Sequence, residues 1–402
     1  MAFLKEENRF LIGILSLLFG NLLYLMSFFI PKSKNIWVFG AWFGGTYSDN
    51  SKYLFEYVNK NQPGIRAIWL TTGKNTLELL RKKGYEAYRT YSLRGCWLSM
   101  RAKVGVICVS NRDINWYTMA GKIIVNLWYG APLKKVVYDD TITYERLSGA
   151  HLFFFPFLKK KWDLVVAPSH AVKKIMAGAL RIPGGNIAVT GYPRNDVFFK
   201  EKTVETPFDE KLSEYRKKGL KIGIYMPTHR KEGRSSILSL LVDEIEDLNL
   251  ELKKKQVILL VKLHYYHLKE IEKLQLDHSN IYFIKSEDIE QDIYSILPLT
   301  DFMITDYSSV YFDYLLLDRP VIFAPFDMDD YIKVDRELYY DYNEITPGPK
   351  ANSWKDVLRW VDDCVSSPDK YRSDRERVRE IIHEYRDGDN SKRVYEKITG
   401  LL

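Results

Sequence analysis

The feature that most constrains the fold is a regular alternation of short apolar runs with longer amphipathic stretches after Pro31. In the first half, the runs predicted to be buried strands are Ile36–Phe39, Ile65–Leu70, Val104–Val109, Ile123–Leu127, Leu164–Ala167 and Ile187–Thr190. In the second half they are Ile222–Met226, Val257–Val261, Asn280–Ile284, Phe302–Ile304 and Pro320–Phe323. Helical spacing between them, as in Lys52–Lys60 and Ala171–Leu180, indicates βαβ units. The sequence therefore predicts an α/β fold with parallel sheets.

The length of the chain and one charged stretch determine the predicted domain organisation. With 402 residues, of which 46% are hydrophobic and 28% charged, the chain is large enough for two globular domains. A charged, proline-containing stretch at 201–218 is predicted to be a linker. It would separate an N-terminal domain at 31–200 from a C-terminal domain at 219–375, with a helical tail at 376–402. We expect the two domains to face a cleft.

The first thirty residues contain an uncharged hydrophobic segment at 10–30 that is long enough to span a bilayer. Three interpretations are open: a spanning anchor, a helix lying in the membrane interface, and a hairpin or buried helix of the domain. The first two place the protein at a membrane. Lys32 and Lys34 follow the segment directly, which favours the cytoplasmic face for the body of the protein. We therefore expect residues 1–30 to associate with the cell membrane.

The charge balance favours anionic partners. A formal charge of +7 suits a nucleotide, a phospholipid headgroup or a phosphorylated acceptor. No run of lysine and arginine typical of a nucleic-acid-binding module occurs, so nucleic acid is not an expected partner. The three cysteines (Cys96, Cys108 and Cys364) have neither disulfide-framework nor metal-ligand spacing. No metal site is assigned, and a need for a divalent metal stays open.

Residues that follow the strands are the candidate site, because parallel α/β folds bind ligands at the carboxyl ends of their strands. In the N-terminal half these residues are Gly44, Gly45, Asp49, Tyr129, Lys134 and Arg194. The two glycines allow a ligand to approach the backbone, and they equally suit a plain turn before a helix cap. Lys134 is a candidate phosphate ligand. Arg194 is a candidate either for binding an anion or for fixing an interdomain loop to a carboxylate.

The C-terminal half supplies a second set of candidates, namely Thr228, His229, Arg230, Lys262, His264, Asp306, Ser308 and Ser309. A hydroxyl, an imidazole and a guanidinium in succession at 228–230 suit a phosphate. Two serines that lead into a predicted helix present hydroxyl and backbone N–H groups to an anion, although they also suit simple helix capping. No Walker loop, Rossmann fingerprint or Ser-His-Asp set is present. The convergence of these side chains at successive strand ends predicts an anion-binding cleft.

Seven segments in order resemble the CDP-glycerol glycerophosphotransferase family, the bacterial teichoic-acid primases and polymerases. They are GGTYSDN (44–50), LWYGAPLKK (127–135), GYPRND (191–196), YMPTHR (225–230), VKLH (261–264), ITDYSSVYFDY (304–314) and YYDYNEITPGP (339–349). The resemblance implies a GT-B-like pair of Rossmann-like domains, with the CDP donor held mainly by the C-terminal one. It also implies transfer of glycerol phosphate from CDP-glycerol to an undecaprenyl-diphosphate-linked saccharide, with release of CMP. The chain length is closer to that of a primase than of a processive polymerase.

Two other functions stay open. One is a GT-B transferase that uses CDP-ribitol or another activated donor. The other is a catalytically inactive, nucleotide-binding membrane protein.

The resemblance also implies roles for individual residues. His264 would contact the donor phosphates and assist the departure of CMP, while Arg230, Ser308 and Ser309 would bind the diphosphate. Thr228, Lys262 and Asp306 would complete the donor side. Gly44, Gly45, Lys134 and Arg194 would lie on the acceptor side or in the cleft.

One departure from the family pattern is important for catalysis. The family has a histidine, its expected general base, at the position of Tyr129. With a pKa near 10 in solution, a tyrosine is a poor base at neutral pH. We hypothesise that His229 or Asp49 removes the acceptor proton instead, or that a loose transition state needs little help from a base.

Overall fold

The computed structural model describes residues 19–142, 162–200, 206–228, 230, 236–263, 279–285, 288–290, 292–334 and 336–402. Its first sheet has seven strands: β1 Ser33–Phe39, β2 Arg66–Thr71, β3 Ala87–Arg89, β4 Ala102–Ile107, β5 Ile123–Asn126, β6 Leu164–Ala167 and β7 Ile187–Val189. Their order is β3-β2-β1-β4-β5-β6-β7, and all neighbouring pairs are parallel. The order reverses between β1 and β4. In doubly wound folds such a switch point creates a crevice at the carboxyl edge of the sheet.

The second sheet repeats this pattern with five strands: β8 Lys221–Met226, β9 Val257–Val261, β10 Ile281–Phe283, β11 Phe302–Thr305 and β12 Val321–Phe323. Their order is β10-β9-β8-β11-β12, again with parallel neighbours throughout. All five residues of β9 are buried. Continuous burial of this kind is expected for strands that helices cover on both faces. The predicted α/β fold with parallel sheets is confirmed.

Helices surround both sheets. They are α1 Asp49–Asn61, α2 Lys74–Lys82, α3 Leu93–Arg101, α4 His170–Leu180, α5 Pro207–Lys217, α6 Ser236–Asp243, α7 Ile245–Lys254, α8 Val310–Tyr314, α9 Met328–Val334, α10 Tyr342–Ile345, α11 Trp354–Ser366, α12 Arg372–Ile382 and α13 Asn390–Thr399. Short 3-10 helices occur at Trp42–Gly44, Asn111–Asp113, Trp116–Thr118, Val137–Asp139, Gly184–Asn186, Pro193–Phe199, Ile293–Ser295, Leu297–Leu299 and Leu315–Leu317.

The stretch predicted as a linker contains α5. The Thr206 side chain accepts a hydrogen bond from the Asp209 amide, and the Asp209 side chain accepts one from the Thr206 amide, which completes a capping box. Pro207 occupies the first turn, where a proline suits helix geometry. Phe208 and Leu212 are buried on the inner face of the helix. Capping and two buried side chains therefore form a packed helix in a stretch whose charge suggested a linker.

The predicted C-terminal tail returns to the first sheet. The Asp196 carboxylate accepts hydrogen bonds from the backbone amides of Asn390 and Ser391, both at 2.9 Å, at the start of α13. The Tyr395 ring packs on Trp37 of β1 with 5.6 Å between ring centroids. The last helix therefore covers the N-terminal half of the chain.

The predicted membrane segment is only partly described. Residues 19–29 are helical, and residues 1–18 lie outside the described residues. The Ser27 hydroxyl donates to the carbonyl of Thr118 at 2.9 Å, which attaches this helix to the first domain. Within the described ranges, every helix is too short or too polar to cross a membrane.

Candidate active site

A cleft of about 330 Å³ opens where the loop after β5 meets the loops after β8 and β11. Five residues predicted from the sequence line it, namely Tyr129, Lys134, Thr228, Ser308 and Ser309. Two of them come from the N-terminal half and three from the C-terminal half. The cleft therefore brings together strand-end residues of both sheets, as the sequence predicted.

Gly130 allows the two halves to touch at this cleft. It has a φ of +150°, and an added Cβ would lie 3.0 Å from a guanidinium nitrogen of Arg194 and 3.5 Å from the Ser309 hydroxyl oxygen. A side chain at position 130 would therefore push apart the loops that bring Tyr129 and Ser309 together.

Arg194 is a buried cross-link between the two halves of the chain. One terminal nitrogen donates to Asp49 at 2.8 Å and to the carbonyl of Tyr129 at 2.7 Å. The other donates to Asp313 of α8, whose carboxylate also accepts from the Tyr294 hydroxyl at 2.7 Å. The Arg194 side chain is only 4% exposed. Of the two roles open from the sequence, this geometry favours fixing the interdomain loop to a carboxylate.

Asp49, one of the two hypothesised bases, is held on both carboxylate oxygens. One oxygen accepts from Arg194 at 2.8 Å and from the Asn50 amide at 2.7 Å. The other accepts from the Trp42 indole at 3.1 Å. Burial raises the pKa of Asp49, and the Arg194 charge opposes that rise. These contacts favour a structural role for Asp49, and its proton-removing role stays a prediction.

Arg230 is engaged by two carboxylates rather than facing the cleft with free donors. It donates to both oxygens of Asp327, at 2.7 and 2.8 Å, and to Asp306 at 2.8 Å. Its remaining terminal nitrogen donates to the Thr228 carbonyl at 2.7 Å. Asp306 in turn accepts from the Thr228 amide at 2.8 Å. Arg230 and Asp306 thus hold the loop that carries Thr228, and direct binding of the diphosphate by Arg230 stays a prediction.

Gly44 and Gly45 form a turn whose carbonyls bind the last residue of β2 and the first turn of α2. The carbonyl of Gly44 accepts from the Thr71 hydroxyl at 2.7 Å, and that of Gly45 accepts from the Thr76 hydroxyl at 2.8 Å. Neither glycine is among the residues that line the cleft. Of the two roles that the sequence left open for these glycines, their contacts favour the plain turn over approach of a ligand to the backbone.

Tyr129 presents a neutral phenol to the cleft. Its ring stacks on Trp128 with 4.9 Å between centroids and lies 6.0 Å from that of Trp42. Burial raises the pKa of the hydroxyl, while the nearby charge of Arg336 has the smaller, opposite effect. The side chain therefore keeps its proton at neutral pH, consistent with the expectation that it is a poor base.

Both candidate histidines, His229 and His264, lie outside the described residues. Lys262 is described, and its ammonium group donates to the Leu263 carbonyl at 3.2 Å. Burial lowers the pKa of Lys262. In the described part of the chain, no three histidine, cysteine, aspartate or glutamate side chains gather as metal ligands would.

Arg336 is a cleft residue that the sequence analysis missed. It lines the cleft together with Tyr129 and forms an ion pair with Asp140 at 3.5 Å. It lies in a loop between α9 and α10 and not directly after a strand, so a search of strand ends does not find it. Its only sequence signal is its position three residues before the YYDYNEITPGP segment.

The profile of one protein family matches residues 22–400, and the family is described as CDP-glycerol:poly(glycerophosphate) glycerophosphotransferase. The chain belongs to this family. The predicted family and enzyme class are thereby confirmed.

Several characterised relatives agree with this assignment. The teichoic acid poly(glycerol phosphate) polymerase of Bacillus spizizenii is 27% identical, over 92% of this chain and 93% of its own. The teichoic acid glycerol-phosphate transferase of Staphylococcus aureus is 29% identical, over 83% and 86%. The teichoic acid ribitol-phosphate primase of Bacillus spizizenii is 28% identical over 98% of each chain. Other relatives are longer, and the chain spans 44% of the poly(glycerol phosphate) polymerase of Staphylococcus epidermidis.

A solved structure supports the fold. The wall teichoic acid polymerase TagF superposes with a TM-score of 0.75 and 23% identity, over 99% of this chain and 97% of that one.

Proposed function

We propose that this glycerophosphotransferase-family chain transfers glycerol phosphate from CDP-glycerol to a lipid-linked saccharide and releases CMP, in the synthesis of a teichoic-acid-type polymer. The observation that carries the proposal is the cleft, where hydroxyls of the second sheet (Thr228, Ser308 and Ser309) meet Tyr129 of the first. Two parallel sheets on either side of this cleft support a GT-B-like arrangement, with the donor on the C-terminal side.

The chemistry is a phosphoryl transfer. An acceptor hydroxyl attacks the β-phosphorus of the donor and forms a new P–O bond while the bond between that phosphorus and the CMP oxygen breaks. The hydroxyl proton passes to a base of the protein, for which His229 and Asp49 are the candidates, or to water, and CMP departs with the electron pair of the broken bond. Such reactions depend mainly on positioning and on stabilising charge at the phosphoryl oxygens. Hydroxyl donors in a partly closed cleft are suited to that task, and His264 is proposed to act at the leaving CMP.

The direct test measures CMP release from CDP-glycerol with a lipid-linked disaccharide, using wild type, His264→Ala and Ser309→Ala. We expect acceptor-dependent release by wild type, near-complete loss in His264→Ala and a partial loss in Ser309→Ala. Loss of one oxyanion-type donor lowers turnover by about 100-fold. Nucleotide binding without turnover of any activated donor would contradict the proposal and favour an inactive binding protein.

CDP-ribitol is the second candidate donor. The observation that favours it is the similarity to a ribitol-phosphate primase over 98% of both chains. Parallel assays with CDP-glycerol and CDP-ribitol at equal concentration separate the two candidates. A higher kcat/KM for CDP-ribitol would mean that the chain transfers ribitol phosphate instead of glycerol phosphate, at the same proposed site.

We also propose that the protein binds the cytoplasmic face of the cell membrane through one apolar surface. On the helix at 19–29, large apolar side chains are exposed: Phe19, Leu22, Leu25, Met26, Phe28 and Phe29. Gly20 of this helix packs directly on the Tyr117 ring, and that ring lies 6.3 Å from Tyr91. Leu93 and Trp97 of α3 are 93% and 47% exposed just beyond Tyr91. Exposed apolar clusters of this kind are typical of interaction surfaces.

Vesicle co-sedimentation tests this surface. We expect Leu93→Glu and Trp97→Glu to weaken binding to vesicles, since a glutamate opposes insertion into the interface. Leu250→Glu is the matched control because Leu250 is 52% exposed on α7 of the second sheet. Equal vesicle binding by all three variants and wild type would contradict the proposed surface.

A further inference from the structure

Among the described residues that line the cleft, the arginine is Arg336, and its donors are less occupied by carboxylates than those of the two neighbouring buried arginines. The side chains of Arg194 and Arg230 are each 4% exposed, and each is bound by two aspartates. Arg336 is 37% exposed, and its carboxylate partner among the described residues is Asp140, at 3.5 Å. A guanidinium carries five N–H donors. Arg336 therefore has donors to offer to a ligand in the cleft.

A short strap fixes Arg336 beside Tyr129. The Lys135 amide donates to the Glu337 carbonyl at 2.8 Å, and the Tyr339 amide donates to the Leu133 carbonyl at 2.9 Å. These antiparallel contacts join the loop after β5 to residues 337–339 of the C-terminal half. Arg336 precedes the strap directly and is thereby held at the edge of the cleft.

Arg336 and Tyr129 line the same cleft. A guanidinium has no acceptor, so Arg336 can only donate, and its nearby charge opposes the effect of burial on the pKa of Tyr129. The phenol proton then stays available to a further acceptor. Because burial raises the pKa of Tyr129, the hydroxyl stays protonated at neutral pH. Tyr129 and Arg336 thus both present hydrogen-bond donors on one wall of the cleft.

Two polar atoms nearby strengthen the case for an anionic ligand. Thr228 and Trp128 both line the cleft. The Thr228 hydroxyl and the Trp128 indole N–H are buried and have no hydrogen-bond partner among the described residues. Trp128 itself is only 2% exposed. Buried polar groups are normally satisfied, so unsatisfied donors beside a cleft point to a ligand that accepts hydrogen bonds.

We propose that Arg336 and the Tyr129 hydroxyl form an anion-binding pair that holds a phosphate oxygen of the substrate, with Tyr129 donating its proton rather than removing one. The proposal rests on the proposed phosphotransferase function for the identity of the ligand. A phosphate oxygen can come from the donor diphosphate or from a prenyl-diphosphate acceptor. Both sources share the chemistry that the pair recognises.

Binding measurements without turnover test the pair. Isothermal titration calorimetry would follow CDP, cytidine and a short-chain prenyl diphosphate, with wild type, Tyr129→Phe, Arg336→Gln and Arg336→Lys. We expect Tyr129→Phe and Arg336→Gln each to weaken binding of CDP or of the prenyl diphosphate by about 10- to 100-fold, as for loss of a charge-assisted hydrogen bond. Arg336→Lys should weaken it less, and cytidine binding should not change. The probe that is affected identifies the source of the phosphate.

Matched controls separate ligand binding from a loosened strap. Lys135 pairs with Glu337 at 2.7 Å, and the Tyr339 hydroxyl donates to Asp139 at 2.8 Å, both on the same strap. Lys135→Gln and Tyr339→Phe should leave the affinity for both diphosphates within about twofold of wild type. The pair is overturned if Tyr129→Phe and Arg336→Gln, both folded by circular dichroism, bind CDP and the prenyl diphosphate as tightly as wild type. The proposal is also overturned if Lys135→Gln and Tyr339→Phe lose as much affinity as Tyr129→Phe and Arg336→Gln.

Failure of the pair and failure of the proposed function give different results. If wild type binds CDP in an Arg336-dependent way yet turns over no CDP-activated polyol, the pair stands and the transferase proposal fails. If wild type releases CMP with an acceptor while both variants keep full affinity, the transferase proposal stands and the pair fails.

Discussion

Replacing Arg194 by methionine should disconnect the two halves of the molecule. Methionine keeps much of the length of the side chain but removes its charge and every donor. The change leaves Asp49 and Asp313 buried without their shared cation, with side-chain exposures of 7% and 1%. Asp313 keeps the Tyr294 hydroxyl and Asn195 amide as donors. Asp49 keeps the Trp42 indole and the Asn50 amide. These hydrogen bonds to the two carboxylates are intact, so the loss is that of the ion pairs and of the Arg194 donor to the Tyr129 carbonyl.

The size of the effect follows from the burial of all three groups. Removing one member of a buried ion pair costs about 3–5 kcal/mol, because the partner charge stays desolvated. Arg194 serves two carboxylates, so we expect the free energy of unfolding to fall by about 5 kcal/mol at pH 8. At lower pH the carboxylates of Asp49 and Asp313 can take up protons once Arg194 is gone. Protonation removes the buried charge and so limits the loss of stability, by about 1.4 kcal/mol for each unit by which the pKa of the group rises. The deficit relative to wild type should therefore shrink between pH 8 and pH 5.

Urea unfolding followed by tryptophan fluorescence measures this deficit. Because Arg194 joins residues of both sheets, we also expect the transition of Arg194→Met to broaden or divide in two. Adding Asp49→Asn and Asp313→Asn should recover part of the stability, since no buried charge is then left unpaired. Arg375→Met is the control for loss of an arginine ion pair. Arg375 pairs at 3.2 Å with Asp318, which is 25% exposed and therefore stays partly solvated when its partner is removed. A deficit for Arg194→Met below about 1 kcal/mol at pH 8 would refute this account of the network.

Three further predictions concern single positions. Gly130→Ala should lower acceptor-dependent CMP release at least about tenfold, since a Cβ would displace the Arg194 guanidinium and the Ser309 loop. An unchanged kcat/KM in this variant would contradict the prediction. Burial raises the pKa of Asp196 to about 6. The folded chain then binds this proton more tightly than the unfolded chain, so the contribution of Asp196 to stability is full below about pH 4 and is lost as the pH rises through 6. Asp196→Asn should remove that part of the pH dependence of the unfolding free energy, measured by urea titration from pH 4 to 7. Thr206→Ala should cost about 1 kcal/mol in the same assay through loss of the α5 cap, and a Thr206→Ser control should cost less.

The sequence predicted the sheets well, because long apolar runs between helical stretches allow few alternatives. It missed β3, a three-residue strand at the edge of the first sheet with only its first residue fully buried. Such a strand pairs with β2 through its backbone and needs no apolar run of its own. The stretch predicted as a linker contains the helix α5, which the charged sequence did not reveal, and its role as a linker stays a prediction. The two-residue inner face of that helix is too small to stand out in a sequence.

The residue types of the cleft were predicted better than their roles. Which strand ends meet follows from the fold class, so Tyr129, Thr228 and Ser309 could be expected in one place. The partners of an arginine do not follow from its sequence position. Arg230 pairs with Asp327, which is nearly a hundred residues away in the sequence, and Arg194 pairs with Asp313. Arg336 reaches the cleft because its loop packs there in the tertiary structure, and no local sequence pattern predicts that packing.

The return of α13 to the first sheet has a consequence for how the protein is made. The N-terminal half leaves the ribosome long before residues 390–399, yet the Asp196 carboxylate receives two amide donors and Trp37 its Tyr395 ring contact from that helix. The first sheet must therefore wait, incompletely covered, until residues 390–399 have been synthesised. A nascent chain stalled before residue 390 should expose this surface to chaperones and proteases, whatever the state of the second sheet. The N-terminal half is therefore not expected to be expressed intact without residues 390–399, although those residues follow the whole second sheet in the sequence.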